Sequence, residues 1–213
     1  MDDKKIKDHY TNLFEVHGIS EKSVQYTDKY SQYARFFFLT QFIQKEASIL
    51  DIGCGLGDLY TFLNSHEFSG SYHGIDIVPE FIDHCRLQFS KHSKAKFSEI
   101  LNNEAYPSGY DFLVLSGVFN NKRKDNWDFM CTTIQKMFSA CEIGIAFNCM
   151  SSYVDYKDDH LFYCAPEDIF TFVKKELNGH PILVHNYVLK KNGFPHDYTV
   201  TVLKNPQLPI VAF

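Results

Sequence analysis

The segment Ile49–Asp58, which reads ILDIGCGLGD, decides the fold of this chain. An apolar strand leads into three alternating glycines at 53, 55 and 57, and a helical pattern begins at Asp58. Glycine has no Cβ, so the backbone can turn sharply there and a ligand can lie against it. The N-terminus of the following helix presents N–H groups and the positive end of its dipole to that ligand. The segment predicts a nucleotide-type cofactor site at the start of an α/β domain.

Composition places the chain among globular proteins without a strongly basic surface. Its 213 residues are 45% hydrophobic and 22% charged, which suffices for one domain with a sizeable core. The net charge is -5, and the pI is near 6.0. No basic footprint for nucleic acid is present, and the densest basic run, Lys122–Lys124, is followed at once by Asp125. We therefore expect no nucleic-acid partner.

The cysteines, the N-terminus and the apolar runs bear on the setting of the protein. No two of the six cysteines have C-x-x-C spacing, so neither a zinc site nor a redox dithiol is indicated, and we expect no bound metal. Free cysteines in apolar runs favour a reducing, cytoplasmic setting. The N-terminal residues Met1–Lys5 lack the apolar region of a signal peptide, and no apolar run approaches a membrane span. We expect no membrane association.

Strand and helix patterns alternate over residues 47–204, which predicts a doubly wound, mostly parallel sheet with helices on both faces. An Asn-Gly turn within Lys190–Gly193 separates the last two strands and predicts a hairpin that brings one antiparallel strand. We interpret residues 1–213 as a single domain, since no linker or repeat interrupts the pattern. The predicted strands are Ser48–Ile52, Ser71–Ile77, Ala95–Ile100, Tyr110–Ser116, Glu142–Met150, Ile182–Leu189 and Tyr198–Leu203.

Residues 1–46 predict a helical head that precedes the first strand. Apolar side chains at helical spacing indicate one helix over Lys4–His17, ended by Gly18, and a second over Thr27–Lys45. Two interpretations of the head are compatible with each other. It covers the mouth of the cofactor site, or it packs as an ordinary helical layer on the sheet.

The motif Asp-x-Gly-x-Gly-x-Gly at residues 51–57 resembles the first motif of the class I S-adenosylmethionine-dependent methyltransferases. Asp76 at the end of the second strand, the segment Tyr110–Ser116 and the C-terminal hairpin are similar to later features of that family. The resemblance covers about residues 47–204. It implies a Rossmann-like, seven-stranded sheet, with S-adenosylmethionine as cofactor and S-adenosylhomocysteine as product. A dinucleotide fingerprint fits less well, because the third glycine comes one residue early.

The resemblance also implies roles for individual residues. Asp51 favours the cofactor's ammonium by charge, and Asp76 accepts hydrogen bonds from both ribose hydroxyls. Ile77 forms an apolar wall for adenine, whose far edge meets the loop at residues 99–102. The alternative for Asp76 is a helix cap before Pro79. The predicted cofactor-binding residues of the sheet are Asp51, Gly53, Cys54, Gly55, Gly57, Asp76, Ile77 and Ser116.

The head resembles that of a subset of small bacterial methyltransferases through His17-Gly18 and Gln32-x-x-Arg35-Phe36. The likeness implies that Arg35 pairs bidentately with the cofactor carboxylate, with Gln32 and Tyr26 beside it. The alternative is a surface arginine on an amphipathic helix.

The acceptor side is expected after the fourth and fifth strands. The segment Ser151–Tyr163 is polar, aromatic and long for a strand–helix connection, which indicates a functional loop. His160 is a candidate general base, and a surface or capping histidine is the alternative. The predicted acceptor-binding residues are Phe119, Asn120, Asn148, Tyr153 and Tyr156.

These features favour a methyltransferase that acts on a small molecule with an oxygen or nitrogen nucleophile. Methyl transfer is an in-line displacement that depends chiefly on alignment of the reactants. Two alternatives remain, a protein or RNA acceptor and a non-catalytic partner protein that binds the cofactor. The Asn-Pro-Pro-Tyr type of tetrapeptide found in amide- and exocyclic-amine-methylating relatives is absent, because residues 116–119 read Ser-Gly-Val-Phe. The oligomeric state is not indicated.

Overall fold

A computed structural model describes residues 3–101 and 104–206. A seven-stranded sheet forms the centre of the molecule, with strand order β3-β2-β1-β4-β5-β7-β6. The strands are β1 (Ile49–Ile52), β2 (Tyr72–Asp76), β3 (Ala95–Glu99), β4 (Tyr110–Leu115), β5 (Cys141–Met150), β6 (His180–Val184) and β7 (Asp197–Leu203).

The helices lie between the strands and before β1. A short 3₁₀ turn, Glu21–Val24, joins the first two helices, and the last helix continues into a wider π-helical turn over Val173–Leu177. The helices are α1 (Asp3–His17), α2 (Lys29–Thr40), α3 (Asp58–Ser65), α4 (Pro79–Gln88), α5 (Asn126–Ala140) and α6 (Pro166–Phe172). None of the described helices is both long enough and apolar enough to cross a bilayer.

The pairing of the strands confirms the predicted, mostly parallel sheet. Strands β1 to β5 are parallel to their neighbours within that group, whereas β7 runs antiparallel to both β5 and β6. The strand order reverses between β1 and β4. The strands β2 and β3 lie towards one edge of the sheet from β1, whereas β5, β7 and β6 lie towards the other edge from β4. This reversal opens a crevice at the carboxyl ends of β1 and β4, where open α/β sheets bind ligands.

Two apolar layers hold the helices on the sheet because strand side chains alternate between its faces. Leu113 and Leu115 of β4 pack in the layer that contains Ile134 of α5. Phe112 and Val114 pack in the opposite layer, with side chains of α2, α3 and α4. All four β4 side chains are fully buried, as expected for a central strand covered on both faces.

Two predicted elements near the C-terminus differ from the structure. The strand expected over Ile182–Leu189 is β6, which spans His180–Val184. The segment after β6 is apolar because it packs on α2 and not because it continues the strand. The buried Tyr187 stacks on Phe38 of α2 at 4.2 Å between ring centroids. The Asn-Gly turn is present, with Gly193 N donating to Lys190 O at 2.9 Å, but it lies in a long connection rather than in a tight hairpin.

The helical head divides into two parts with different roles. Helix α2 contributes the buried Phe36 and Leu39 to the core, and it ends at Thr40 rather than at the expected Lys45. Helix α1 instead packs Tyr10 and Phe14 on a small cluster at the carboxyl ends of the strands. The two interpretations of the head therefore apply to different helices, α2 as a packing layer and α1 as a cover.

Candidate functional site

A cavity of about 450 Å³ opens at the carboxyl ends of β1 and β4. Its walls come from the glycine loop after β1, the end of β2, the loop after β4, and helices α1, α2 and α5. This volume is in the usual range of small-molecule sites. The cavity therefore lies at the crevice that the strand order creates.

The glycine loop forms the floor of the cavity. Gly53 and Gly55 have positive φ angles of 74° and 53°, which glycine adopts without steric cost. The loop is tied to β2, because Gly53 N donates to Ile75 O at 2.8 Å and Gly55 N donates to Asp76 Oδ2 at 2.9 Å. A Cβ on Gly55 would lie 2.8 Å from Val24 Cγ1, so the loop backbone and the head approach closely only because a glycine stands there.

Asp76 lines the cavity and also supports the backbone around it. Its Oδ2 accepts the Gly55 N–H, and its Oδ1 accepts the Val78 N–H at 3.0 Å. The expected alternative, a cap before Pro79, is thus present alongside the position expected for ribose binding. An ionised carboxylate has about four lone-pair sites, so two backbone bonds leave capacity for ribose hydroxyls. Burial raises the pKa of Asp76, and the backbone hydrogen bonds oppose that shift.

Asp51 is a buried carboxyl group in the wall of the same cavity. Burial raises its pKa to about 7, the hydrogen bond from the Tyr72 hydroxyl lowers it, and the nearby Asp76 raises it further. A group with that pKa is near its titration midpoint at neutral pH. A cation placed beside Asp51 would favour its ionised form.

Helix α2 and the segment before it form the wall opposite the glycine loop. Tyr26 Oη lies 2.8 Å from Ser116 Oγ, which links this wall to the end of β4. Gln32 Nε2 donates to Asp58 Oδ2 at 2.9 Å, at the first turn of α3. Gln32 Oε1 is buried and has no hydrogen-bond partner in the part of the chain that is described. This oxygen is available to a ligand N–H or O–H.

Arg35 lines the cavity but is directed towards β7. Its Nε donates to Asp197 Oδ2 at 2.5 Å, and the Asp197 side chain is 1% exposed. Sequence reasoning missed Asp197, since nothing in the pattern of β7 marks its first residue as an ion-pair partner. The pairing of Arg35 with the cofactor carboxylate stays a prediction, and only the terminal N–H groups of the guanidinium are left for it.

A hydrogen-bonded contact closes the cavity from above. Asn121 Nδ2, in the loop after β4, donates to Tyr10 Oη of α1 at 3.0 Å and to Gln25 Oε1 at 3.1 Å. All three residues line the cavity. We call these three residues the roof. The sequence indicated that the head could cover the site. No sequence pattern identified Asn121 as the residue whose amide bonds the head to the loop after β4.

The cavity brings together most of the predicted site residues. Two of the predicted acceptor-side residues, Asn120 and His160, lie in its wall, and the Oδ1 atom of Asn120 is buried without a hydrogen-bond partner among the described residues. The predicted residues that line the cavity are Tyr26, Gln32, Arg35, Asp51, Gly53, Cys54, Gly55, Asp76, Ile77, Ser116, Asn120 and His160.

Five predicted residues do not line the cavity. Phe119 is buried in the core against Phe129 and Phe147, because the chain turns inward after Val118. Tyr153 and Tyr156 are 61% and 73% exposed on the surface of the loop.

The other two act from behind the cavity wall. Asn148 is fully buried, accepts the Gly117 N–H at 2.9 Å and donates to Ser116 Oγ at 2.9 Å, so it supports the wall from behind. Gly57 is the N-cap of α3, with a φ of 75°, and a Cβ there would meet Phe89 at 2.6 Å.

The loop expected at the far edge of adenine is described only in part. Ile100 and Leu101 line the cavity, and Asn102 lies outside the described residues. All six cysteines are free. In the described ranges, no group of three or more His, Cys, Asp or Glu side chains is arranged to hold a metal ion.

The reversed seventh strand, the glycine loop after β1 and the acid at the end of β2 together define a class I S-adenosylmethionine-dependent methyltransferase. Residues 50–139 match the family described as methyltransferase domain. A Mycobacterium tuberculosis protein, Rv1506c, named as a candidate methyltransferase, is 32% identical over 165 residues, which cover 74% of this chain and 93% of that protein. The chain belongs to this methyltransferase family.

Solved structures share the fold. Magnesium protoporphyrin IX methyltransferase from Synechocystis PCC 6803, with bound S-adenosylhomocysteine, superposes with a TM-score of 0.69 at 10% identity, over 96% of this chain and 100% of that one. The N-methyltransferase NodS from Bradyrhizobium japonicum WM9, also with S-adenosylhomocysteine, has a TM-score of 0.66 at 15% identity, over 94% and 100%. Both of those solved structures hold S-adenosylhomocysteine, which S-adenosylmethionine becomes when it gives up its methyl group.

The residues of the cavity fit that cofactor. Its ammonium, its ribose hydroxyls and its adenine require a carboxylate, a second carboxylate and an apolar wall, which Asp51, Asp76 and Ile77 provide. The buried, unpartnered oxygen of Gln32 supplies a further acceptor in the described part of the cavity. The sulfonium supplies an electrophilic methyl group when the cofactor is bound. The protein must then align an acceptor atom and exclude water.

Proposed function

We propose that this methyltransferase acts on a small-molecule acceptor, through an oxygen or nitrogen nucleophile. The roof carries the proposal, because Tyr10 and Gln25 are both hydrogen-bonded to Asn121 across the cavity. An acceptor must enter beneath this cover. A folded protein or a duplex nucleic acid would need the roof to open widely, whereas a small molecule would not.

The charge of the chain supports the same proposal. Phosphate neutralisation by Lys and Arg supplies most non-specific affinity for nucleic acid. The chain has 21 Lys and Arg against 26 Asp and Glu residues. An RNA acceptor would have to bind against this overall negative charge.

We assign the cofactor's binding to the residues that line the cavity near the glycine loop. Asp51 would pair with the ammonium, and Asp76 would accept the ribose hydroxyls. Ile77 would cover adenine. Ser116 and Tyr26, which share a hydrogen bond, would border the methionine portion. The ends of β4 and β5 would then border the space left for the acceptor.

His160 is our candidate for a general base where the acceptor atom starts protonated. It lines the cavity from the β5–α6 connection, and its ring has no hydrogen-bond partner in the described part of the chain. The peptide is fixed there, because His160 O accepts the Lys122 N–H at 2.9 Å. A neutral imidazole has one ring nitrogen that can accept a proton from a hydroxyl or ammonium group.

Two measurements test the proposed function in sequence. Isothermal titration should detect binding of both S-adenosylmethionine and S-adenosylhomocysteine, and absence of binding by either would contradict the cofactor assignment. The protein is then incubated with methyl-labelled S-adenosylmethionine and a cell extract separated into a small-molecule filtrate and a macromolecular fraction. Label should enter the filtrate. Transfer into protein or RNA alone would overturn the small-molecule assignment, and cofactor binding without transfer to either fraction would favour a non-catalytic role.

A further inference from the structure

His196 lies in the wall of the cavity, in the residue just before β7. Its backbone is fixed there, because Ser151 N donates to His196 O at 2.8 Å and the next residue, Asp197, pairs with Met150 of β5. The acceptor is expected beyond the ends of β4 and β5, and His196 borders the end of β5. An imidazole in this wall can exchange a proton with an acceptor.

The contacts of the His196 ring determine which of its nitrogens is basic. Nδ1 lies 3.3 Å from Phe194 O. A carbonyl oxygen only accepts hydrogen bonds, so the proton of the neutral ring lies on Nδ1, and Nε2 keeps its lone pair. The Phe194 ring packs edge-on against the imidazole, at 5.9 Å between ring centroids, and restricts its rotation. Nε2 is therefore the atom that can take a proton.

Asp197 provides an acceptor for the N–H that forms when Nε2 takes a proton. Its Oδ1 is buried and has no hydrogen-bond partner among the residues that the structure describes. This oxygen lies 4.0 Å from His196 Nε2, whereas Oδ2 accepts the Arg35 Nε–H. An imidazolium N–H needs to approach Oδ1 by only about 1 Å to form a charge-assisted hydrogen bond. A buried acceptor without a partner costs free energy, so this bond favours the proton on Nε2.

We propose that His196 is a catalytic residue whose Nε2 takes the proton of the acceptor's hydroxyl or amine group, with Asp197 as the positioning residue that receives the new N–H. This inference rests on the proposed function and adds a base on the β7 side of the cavity. The bond from the acceptor atom to the methyl carbon forms, the carbon–sulfur bond breaks, and its electron pair stays on sulfur. The acceptor's proton passes to Nε2. The positive charge that leaves sulfur is thus replaced by that of the imidazolium, beside Asp197.

His160, the candidate base named above, is held in a different way. It lines the cavity from the β5–α6 connection, and its fixed contact is made by its backbone, since His160 O accepts the Lys122 N–H at 2.9 Å. His196 has a ring contact that selects a tautomer and a carboxylate that receives the proton. A base that a third group orients in this way is suited to activating a nucleophile. We therefore expect His196 to contribute more to the rate than His160 does.

The tautomer is measured first, by NMR on protein with ¹⁵N-labelled histidine, saturated with S-adenosylhomocysteine. Two-bond ¹H–¹⁵N spectra distinguish protonated from unprotonated ring nitrogens, and His196→Gln identifies the signals of His196 by their loss. Neutral His196 should carry its proton on Nδ1. A proton on Nε2 would overturn the proposal, because that nitrogen could not then act as the base. A protein that does not bind S-adenosylhomocysteine would contradict the proposed function instead, and the same spectra, recorded without it, would still decide the tautomer.

The histidines are then compared by the rate of methyl transfer from labelled S-adenosylmethionine into the small-molecule filtrate of a cell extract. His196→Gln should slow transfer about 100-fold, as expected for loss of a general base, and should leave the Kd of S-adenosylhomocysteine unchanged. His160→Gln should cause a smaller loss. His180→Gln is the matched control and should not slow transfer, because His180 pairs with Leu203, at the end of β6 and β7 that is far from Asp197.

The proposal is overturned if His196→Gln transfers the methyl group as fast as His180→Gln, or if His160→Gln causes the larger loss. Absence of transfer by the unaltered protein would contradict the proposed function, and the tautomer would then decide the assignment of His196 by itself.

Discussion

The cavity has a glycine-loop end beside β1 and β2 and a β7 end where Arg35 meets Asp197, and the two ends are built in different ways. At the glycine-loop end, the loop follows β1 and Asp76 ends β2, and hydrogen bonds from Gly53 and Gly55 to β2 join them. At the β7 end, Arg35 of α2 meets Asp197 of β7, 162 residues further along the chain. The first arrangement is local and can be read as a motif. The second exists only when distant elements pack together, and this difference predicts where substitutions damage the fold and where they damage binding.

The largest expected effect is on stability, at the β7 end. Arg35→Ala would leave the Asp197 carboxylate, 1% exposed, buried without its cation, and we expect a loss of about 3–5 kcal/mol in the free energy of unfolding. Urea denaturation measures it. Lys29→Ala is the control at the glycine-loop end, because Lys29 pairs with Asp58 while 48% exposed, and it should cost less than about 1 kcal/mol. Equal losses would show that the ion pair at β7 is not a structural tie.

The next effect is on affinity, at the glycine-loop end. Asp76→Ala should weaken S-adenosylhomocysteine binding about 100-fold, because it removes two charge-assisted hydrogen bonds to ribose. Isothermal titration measures the change. Asp76→Asn keeps one oxygen acceptor, which can serve the N–H of Val78 or that of Gly55 but not both, so its thermal unfolding is measured beside its affinity. Asp83→Ala, on the exposed side of α4, should bind as the unaltered protein does, and an unchanged affinity in Asp76→Ala would refute the ribose assignment.

A smaller effect is expected from pH, through Asp51. Its pKa is raised to about 7, so the carboxyl is protonated below that pH and cannot attract the cofactor's ammonium. Affinity for S-adenosylhomocysteine should fall about tenfold between pH 8 and pH 6, and Asp51→Asn should remove this dependence. Titration at several pH values checks the slope. An unchanged slope in the variant would assign the dependence to another group.

The free energy of unfolding of the unliganded protein should also depend on Asp51, but it should fall as pH rises. The native carboxyl holds its proton more tightly than in the unfolded chain, where its pKa has the ordinary value of 3.8. Its contribution to stability is therefore complete below pH 4 and is lost as pH rises towards about 7. Thermal melts with and without S-adenosylhomocysteine should show stabilisation by the ligand that grows between pH 6 and pH 8. Ligand stabilisation that is equal at both pH values would contradict the role of Asp51.

The smallest predicted effect concerns the roof, which joins the two ends. Asn121→Ala removes the hydrogen bonds to Tyr10 and Gln25, and S-adenosylhomocysteine should dissociate about three- to tenfold faster, corresponding to about one hydrogen bond of net stability. Stopped-flow displacement measures the rate. Tyr10→Phe removes only one of the two bonds and should have a smaller effect. Identical dissociation rates in all three proteins would mean that the roof does not retain the ligand.

Local pattern predicted the sheet well, but it did not decide which residues after β4 and β5 line the cavity. Alternating side chains in β4 and the glycines at 53 and 55 have consequences that depend only on near neighbours, so their strand and their loop could be predicted. The position of Phe119 just after β4 predicts an acceptor-site residue, but the direction of its side chain depends on how the loop packs against Phe147. Aromatic residues suit a core and a pocket equally well, and only packing separates the two.

The amino-acid sequence by itself determined the class of fold and the position of the glycine loop within it, because a strand, a turn and a helix N-terminus are specified by residues next to one another. Only the tertiary structure decided that α2 belongs to the core while α1 covers the cavity. It also decided that Arg35 is tied to Asp197 and that Asn121 holds the roof. Those contacts join elements far apart in the chain, and a side chain's partner across such a distance is set by how the whole sheet and its helices pack, not by its own neighbours.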